Sequence, residues 1–172
     1  MSFHPHVADS ASCASCALLQ PVTWQKEEED GIIRQALAIL EKRLFQGGPV
    51  FDQPEAVAEY LRLKLAAEPN EVFAVLFLDA QNRALAFEPL FRGSVNQTSV
   101  YPRVVAQRAL LLNSTGIVVA HSHPSGKTDP SEADRQFTRT LRTALSVLDV
   151  RLLDHFIIGQ GEPFSFSEHG LL

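Results

Sequence analysis

Two short apolar runs constrain the fold of this 172-residue chain more than any other feature. Residues 72–78 read VFAVLFL and residues 116–120 read GIVVA, so neither run contains a charged or amide side chain. Runs of this length without polar alternation are typical of strands that are buried on both faces. Residues 84–91 follow a polar turn at 79–82 and predict a second strand that pairs with the first in a hairpin. The chain is therefore predicted to contain a sheet that helices cover.

Helical periodicity flanks these strands. Apolar residues recur every three or four positions in four segments, which predicts helices over residues 31–45, 52–65, 102–112 and 131–148. Asp52 suits the N-cap of the second helix, and Pro54 suits its first turn. Two further strands are expected at residues 150–158 and 164–166. The predicted fold class is therefore α/β, with a mixed sheet flanked by helices.

The chain divides into three predicted parts. Residues 1–25 show no periodic apolar pattern and are expected to form a flexible tail, in which Cys13 and Cys16 are free thiols rather than a metal or redox site. Residues 26–49 are expected to form a helical prefix, which either packs on the following domain or stands apart as an arm. Residues 50–172 are expected to form the domain itself.

Composition narrows the expected partners and location. The formal net charge is −5, with 20 acidic and 15 basic residues, whereas non-specific binding of nucleic acid depends on an excess of positive charge. The overall charge thus gives no support to a nucleic-acid partner, although a local basic patch is compatible with it. No apolar run reaches the roughly 20 residues that span a bilayer, and residues 1–21 lack the pattern of a secretory signal. We therefore expect a cytoplasmic protein without a membrane segment.

The residues that carry chemistry are concentrated in segment 121–134, HSHPSGKTDPSEAD. His121 and His123 are two positions apart at the end of a predicted strand, so their side chains leave the same face. Ser131 and Asp134 are three apart at the start of a predicted helix and also share a side. Two imidazoles and one carboxylate suit zinc, and three protein ligands leave a fourth position for water, as in catalytic sites. Taken alone, Ser131 and Asp134 are also typical of a helix N-cap, and Ser131 can serve both purposes.

These residues carry a resemblance to a known family. His121, His123, Ser131 and Asp134 match the spacing of the JAMM motif, which is a histidine, any residue, a histidine, seven residues, a serine, two residues and an aspartate. The sequence resembles the RadC branch of the JAMM/MPN (JAB) family over about residues 50–172, at the segments FRG, YPR, HPSG, PS and LDH in that order. The resemblance implies an MPN fold, similar in architecture to cytidine deaminases, and one Zn²⁺ per chain bound by the two histidines and the aspartate.

Two departures from the RadC pattern are visible. Ser122 stands between the two histidines where RadC proteins usually have asparagine, and its side chain is predicted to point away from the metal. The N-terminal helix-hairpin-helix region of RadC proteins is expected to be absent or reduced, since only about 50 residues precede the domain. This second departure weakens the inference that DNA is bound.

The resemblance also implies roles for other residues. Glu71 matches the family glutamate that opens a hydrophobic strand, and it would act as the general base toward a zinc-activated water. Ser131 would donate a hydrogen bond to the oxyanion of the reaction or to the water. Apart from the resemblance, Asp154 and His155 lie together in a predicted buried strand, where we expect hydrogen-bonded support for a metal-bound imidazole or a satisfied core pair rather than a further ligand.

These roles imply a zinc-dependent hydrolase of the JAMM type. Because the wider family cleaves amide or isopeptide bonds, a peptide or protein substrate is expected. The main alternative is a RadC-like interaction module, associated with DNA repair, which has a metal site and little or no hydrolytic activity. A metal-dependent nuclease is a third and less favoured interpretation, since an activated water also attacks phosphodiesters.

Overall fold

The computed structural model describes residues 26–46, 54–66, 68–93 and 100–172. The predictions for the tail, including Cys13 and Cys16, and for the N-cap at Asp52 lie outside these residues. Within them, no helix combines the length and the apolarity that crossing a bilayer requires.

Four helices and five strands make up the described part of the chain. In chain order they are α1 Lys26–Gln46, α2 Pro54–Leu65, β1 Val72–Leu78, β2 Ala84–Arg92, α3 Pro102–Leu111, β3 Gly116–Ser122, α4 Glu132–Ser146, β4 Arg151–Ile158 and β5 Phe164–Ser165. The strands form one sheet in the order β2-β1-β3-β4-β5, in which β3 and β4 are parallel and the other neighbours are antiparallel. The predicted α/β class with a mixed sheet flanked by helices is confirmed.

Helices cover both faces of the central strands. All residues of β1 are buried, as its uninterrupted apolar run predicted. Val72, Ala74 and their alternate neighbours pack in one cluster with α1 and α2. Phe73, Val75 and Phe77 pack in a second cluster with α3 and α4. The candidate site residues at the end of β3 therefore lie between two hydrophobic clusters. The direction of each side chain determines whether it faces α1 and α2 or α3 and α4.

The second half of α1 packs on the domain. Leu40 and Leu44 are buried in the same cluster as Tyr60 and Leu61 of α2. Of the two arrangements that the sequence allowed for the helical prefix, the structure has the packed one. The boundary between prefix and domain at residue 50 stays a prediction.

Strand β3 extends two residues beyond its predicted end at residue 120. It continues because His121 pairs with Phe73 of β1 and with Ile157 of β4, while Ser122 pairs with Ile158. Pairing on both sides thus extends the strand over two polar residues. His121 therefore lies in the sheet and not in the following loop.

Ser122 joins the end of β3 to the start of β1. Its buried hydroxyl oxygen accepts a hydrogen bond from the Val72 N–H at 3.0 Å and lies 3.4 Å from the Asn70 carbonyl oxygen, to which it donates. These two backbone groups flank Glu71, so Ser122 fixes the peptide segment that carries this residue. As predicted, its side chain lies on the α1/α2 side of the sheet, away from the two histidines.

Replacing Ser122 with alanine is expected to destabilise the fold. The substitution leaves the buried Val72 N–H without this acceptor, and an unsatisfied buried donor costs about 1–3 kcal/mol. Urea denaturation followed by circular dichroism measures the loss in the free energy of unfolding. Ser125→Ala, in the exposed loop three residues later, is the matched control and should change it by less than about 0.5 kcal/mol. Equal stability of the two variants would contradict the assigned role of Ser122.

Candidate metal centre

The end of β3 and the start of α4 meet at one point. His121 is 3% exposed and directs its ring toward the α3/α4 side of the sheet. His123 follows the strand and is held by its backbone N–H, which donates to the Ile158 carbonyl at 2.8 Å. Asp134 lies in the first turn of α4. These three residues each offer a ligand atom, and the three atoms lie within 4.8 Å of one another.

The distances suit a small cation. The Nε2 atoms of His121 and His123 are 2.9 Å apart. The Asp134 carboxylate places Oδ1 3.3 Å from His121 Nε2 and Oδ2 3.9 Å from His123 Nε2. Tetrahedral zinc with Zn–N near 2.0–2.1 Å requires ligand atoms about 3.3 Å apart. The two spacings that involve His121 Nε2 lie within about 0.4 Å of this value, and the ligand atoms of all three residues lie within 4.8 Å of one another. The three residues therefore fit a zinc ion after small side-chain rotations.

The outer nitrogen of each histidine is occupied. His123 Nδ1 lies 2.9 Å from the Lys127 carbonyl, and His121 Nδ1 lies 2.8 Å from His155 Nε2. Because a carbonyl only accepts, His123 must carry its proton on Nδ1, which leaves the lone pair of Nε2 directed at the cluster. Metal-binding histidines in proteins are oriented by such outer hydrogen bonds.

Asp134 divides its two carboxylate oxygens between two tasks. Oδ2 accepts hydrogen bonds from the Ser131 backbone N–H at 2.8 Å and from its hydroxyl at 2.5 Å, while the Asp134 N–H donates to Ser131 Oγ at 3.1 Å. This reciprocal pair is a capping box at the start of α4. Oδ1 faces His121. The capping and ligand interpretations of this aspartate are therefore compatible, and the cap fixes which oxygen reaches the metal position.

Ser131 lies beside the cluster, but its hydroxyl hydrogen is donated to Asp134. A contact with an oxyanion requires this hydrogen to turn away from the carboxylate. The Ser131 backbone N–H would then still hold Asp134 Oδ2, so the ligand can stay in place during that rotation.

Burial keeps the inner imidazoles neutral. Burial lowers the pKa of His121 to about 4; the nearby Asp134 charge opposes this shift, and His123 adds to it. Burial likewise lowers the pKa of His155 well below its usual value, with further contributions from the two neighbouring histidines. Both rings are neutral at physiological pH, and the neutral imidazole is the form that binds metals.

The three candidate ligands line a cavity of about 380 Å³ on the α3/α4 side of the sheet. Glu71, immediately before β1, lines the same cavity, and its carbonyl accepts a hydrogen bond from the Gly93 N–H at 2.8 Å. Apolar walls are supplied by Phe73, Val100 and Phe137. No lysine or arginine is among the described residues that line the cavity. The described lining thus combines carboxylates with apolar surface and contains no lysine or arginine that could bind phosphate.

The structure separates the two residues predicted in β4. His155 is buried with Nε2 against His121, whereas the Asp154 carboxylate accepts from the Ser165 hydroxyl at 2.6 Å and from the Ser167 N–H at 3.0 Å. Adjacent strand residues direct their side chains to opposite faces, so both cannot reach the metal position. Burial raises the pKa of Asp154, and its hydrogen bonds oppose that shift. Asp154 therefore holds the C-terminal segment through these two hydrogen bonds. It does not make the hydrogen bond to a metal-binding imidazole that the sequence led us to expect.

Sequence reasoning missed Thr138. Its hydroxyl lies 2.7 Å from His155 Nδ1 and donates to the Asp134 carbonyl at 2.6 Å. The available signal was its position four residues after Asp134, which places both side chains on one face of α4. Nothing in the local pattern indicated contact with His155, because that contact joins a helix to the following strand.

Comparison with known sequences gives a consistent result. A sequence model of the family described as "RadC-like JAB domain" matches residues 51–171. A protein of Methylibium petroleiphilum is 51% identical over 164 residues, which are 95% of this chain and 72% of the relative. A protein of Leptothrix cholodnii is 50% identical over 96% of this chain and 73% of its own length. A protein of Albidiferax ferrireducens is 58% identical over 72% of this chain and 53% of its own length. All three are named as UPF0758 proteins.

Proposed function

We propose that this chain, which belongs to the RadC-like JAB domain family, is a zinc-dependent hydrolase that cleaves an amide or isopeptide bond. The observation that carries the proposal is the composition of the 380 Å³ cavity. It brings together two imidazoles and one carboxylate as candidate ligands and a second carboxylate, Glu71, from outside the ligand group. A structural zinc site would more often be closed by four protein ligands.

Five residues of the cavity have roles in the proposed reaction. His121, His123 and Asp134 would hold one Zn²⁺ per chain, which when bound would supply a nucleophilic water at neutral pH and a Lewis acid. Glu71 accepts the proton of the nucleophile and returns it to the leaving amine. Ser131 turns its hydroxyl hydrogen to the oxyanion while its backbone N–H continues to hold Asp134.

The walls of the cavity favour a peptide or protein substrate over a nucleic acid. Phe73, Val100 and Phe137 offer apolar contact to a side chain or an extended backbone. Phosphodiester cleavage usually depends on cationic residues that neutralise phosphate, and the described lining contains none. This absence argues against the nuclease interpretation and against direct DNA binding at the site. A cytoplasmic location stays a prediction.

Metal removal and return test the proposal. We expect the purified protein to contain about one zinc per chain by mass spectrometry of its metals, and to cleave at least one member of a mixed library of fluorogenic peptide amides and isopeptides. Dialysis against dipicolinate should abolish the cleavage, and added Zn²⁺ should restore it. Cleavage that is indifferent to dipicolinate would contradict the metal dependence. Bound zinc without cleavage of any probe would favour the interaction module, and cleavage of single- or double-stranded DNA would favour the nuclease.

A further inference from the structure

His155 is enclosed on all sides, and both of its ring nitrogens make hydrogen bonds. The residue is 1% exposed. Its ring stacks on Phe166 at a centroid distance of 4.7 Å and an angle of 20°, and meets the edge of Phe73 at 6.2 Å. Nε2 lies 2.8 Å from His121 Nδ1, and Nδ1 lies 2.7 Å from Thr138 Oγ1. A ring held in this way has one orientation, and its two partners are fixed.

The two contacts of the Thr138 hydroxyl determine which atom donates in each of these hydrogen bonds. The Asp134 carbonyl can only accept, so the 2.6 Å contact uses the single hydroxyl hydrogen of Thr138. Thr138 Oγ1 must then accept from His155, which places the His155 proton on Nδ1 and leaves Nε2 bare. A bare Nε2 accepts from His121 Nδ1–H, which in turn leaves His121 Nε2 without a proton. That nitrogen is the one that faces His123 and Asp134.

The opposite proton arrangement breaks the contact between Thr138 and the turn that carries Asp134. A proton on His121 Nε2 would satisfy His123 Nε2, 2.9 Å away, but it would require His155 to donate from Nε2 and to leave Nδ1 bare. The Thr138 hydroxyl hydrogen would then have to turn from the Asp134 carbonyl to His155 Nδ1. The hydrogen bond from Thr138 to the Asp134 carbonyl therefore belongs to the tautomer of His121 that presents a lone pair to a metal ion.

We propose that His155, anchored by Thr138, is a positioning residue that sets the tautomer and the ring orientation of His121 and couples this ligand to the helical turn that carries Asp134. The proposal rests on the metal site of the proposed function and does not depend on hydrolysis. Metal-bound histidines usually donate their outer N–H to a carboxylate, a backbone carbonyl or water. Here the acceptor is a neutral imidazole, which orients the ligand without adding negative charge beside the metal.

Two variants of His155 separate hydrogen bonding from packing. His155→Phe keeps a flat ring for stacking on Phe166 but has no acceptor for His121. His155→Gln loses the ring but places an amide oxygen near the position of Nε2. Thr138→Val keeps the shape of the threonine and removes its hydroxyl, so it tests the anchor from the helix side if the phenylalanine variant does not fold.

Zinc affinity and the His155 tautomer are the two measurements. Competition with a fluorescent zinc chelator should show about a 10–100-fold loss of affinity for His155→Phe, the range typical for loss of an outer partner of a metal ligand. The loss should be within about threefold for His155→Gln and intermediate for Thr138→Val. In the zinc-bound parent, ¹⁵N-detected imidazole spectra should show His155 with its proton on Nδ1, and this preference should be weakened in Thr138→Val. Circular dichroism identifies the folded variants.

Some results would overturn the proposal. Parental zinc affinity in folded His155→Phe, or in Thr138→Val, would exclude the positioning role. Equal losses in His155→Phe and His155→Gln would assign the effect to packing. A proton on His155 Nε2 in the zinc-bound parent would contradict the direction of the hydrogen-bond chain. If zinc binds and the tautomer is as expected while no probe is cleaved, the proposed hydrolysis fails and the role of His155 stands.

Discussion

Replacing His123 with alanine is expected to abolish stoichiometric zinc binding. The substitution removes one of three ligand groups, and its effect should exceed the roughly 10–100-fold loss that follows removal of an outer hydrogen-bond partner. His123 is the better choice of the two histidines because its side chain is 21% exposed and that of His121 is 4% exposed. Its ring contacts the Lys127 carbonyl through Nδ1 and His121 through Nε2, and it is not part of the hydrophobic core. The fold should therefore survive the change, which thermal unfolding of the metal-free protein can verify.

A matched histidine outside the cluster controls for this experiment. His169 is exposed, stacks on Phe164 and bonds the Ser165 carbonyl through Nδ1 at 2.7 Å. His169→Ala should keep about one zinc per chain after dialysis against a zinc buffer, whereas His123→Ala should keep none. If His123→Ala binds zinc with parental stoichiometry and affinity, the ligand assignment is wrong.

The sequence predicted that His121, His123 and Asp134, the candidate ligands, lie together, because the geometry of this group is mostly local. The spacing of His121 and His123 requires only that a strand ends there, and the spacing of Ser131 and Asp134 requires only that a helix begins. The structure added what local spacing does not contain, namely that Asp134 Oδ2 is used by the cap while Oδ1 faces His121.

Contacts that depend on strand register were harder to predict. The parallel pairing of β3 with β4 places Val119 opposite His155 and His121 opposite Ile157. A slip of one residue would turn His155 away and direct Asp154 toward the metal position instead. The sequence indicates that Asp154 and His155 are polar residues in a buried strand. It does not determine the strand register, which decides which of the two faces His121. The same limit applies to Ser122, whose partner segment lies 50 residues earlier in the chain.

The prediction of a role for Glu71 depended on the family resemblance for a different reason. A glutamate before a strand is usually a solvated boundary residue, and no periodic pattern distinguishes one that lines a cavity from one that does not. Its placement follows from the antiparallel pairing of β1 with β3, which puts the start of β1 beside the polar end of β3. The Ser122 hydroxyl and the Gly93 N–H then hold the peptide groups around Glu71.

Replacing Glu71 with glutamine is expected to leave zinc bound and to lower the rate of hydrolysis by about 10²–10⁴-fold, the range for a lost general base. Glutamine has nearly the same shape but cannot accept a proton at neutral pH. The Gly93 N–H bonds the Glu71 carbonyl and the Ser122 hydroxyl bonds the neighbouring Val72 N–H, and neither contact uses the Glu71 side chain. Circular dichroism of the variant checks that the fold is kept. Zinc content, measured beside the cleavage of the most reactive fluorogenic probe, distinguishes loss of the base from loss of the metal.

Glu162→Gln makes the same chemical change in the exposed turn between β4 and β5, and it should cleave that probe within about twofold of the parental rate. Among the described residues that line the cavity, the carboxylates are Glu71 and Asp134. Because Asp134 has one oxygen in the helix cap and the other directed at the histidines, it is poorly placed to exchange protons with a substrate. If zinc-loaded Glu71→Gln retained the parental rate, the base would have to come from a group outside these lining residues, and the proposed reaction at this cavity would lose its proton acceptor.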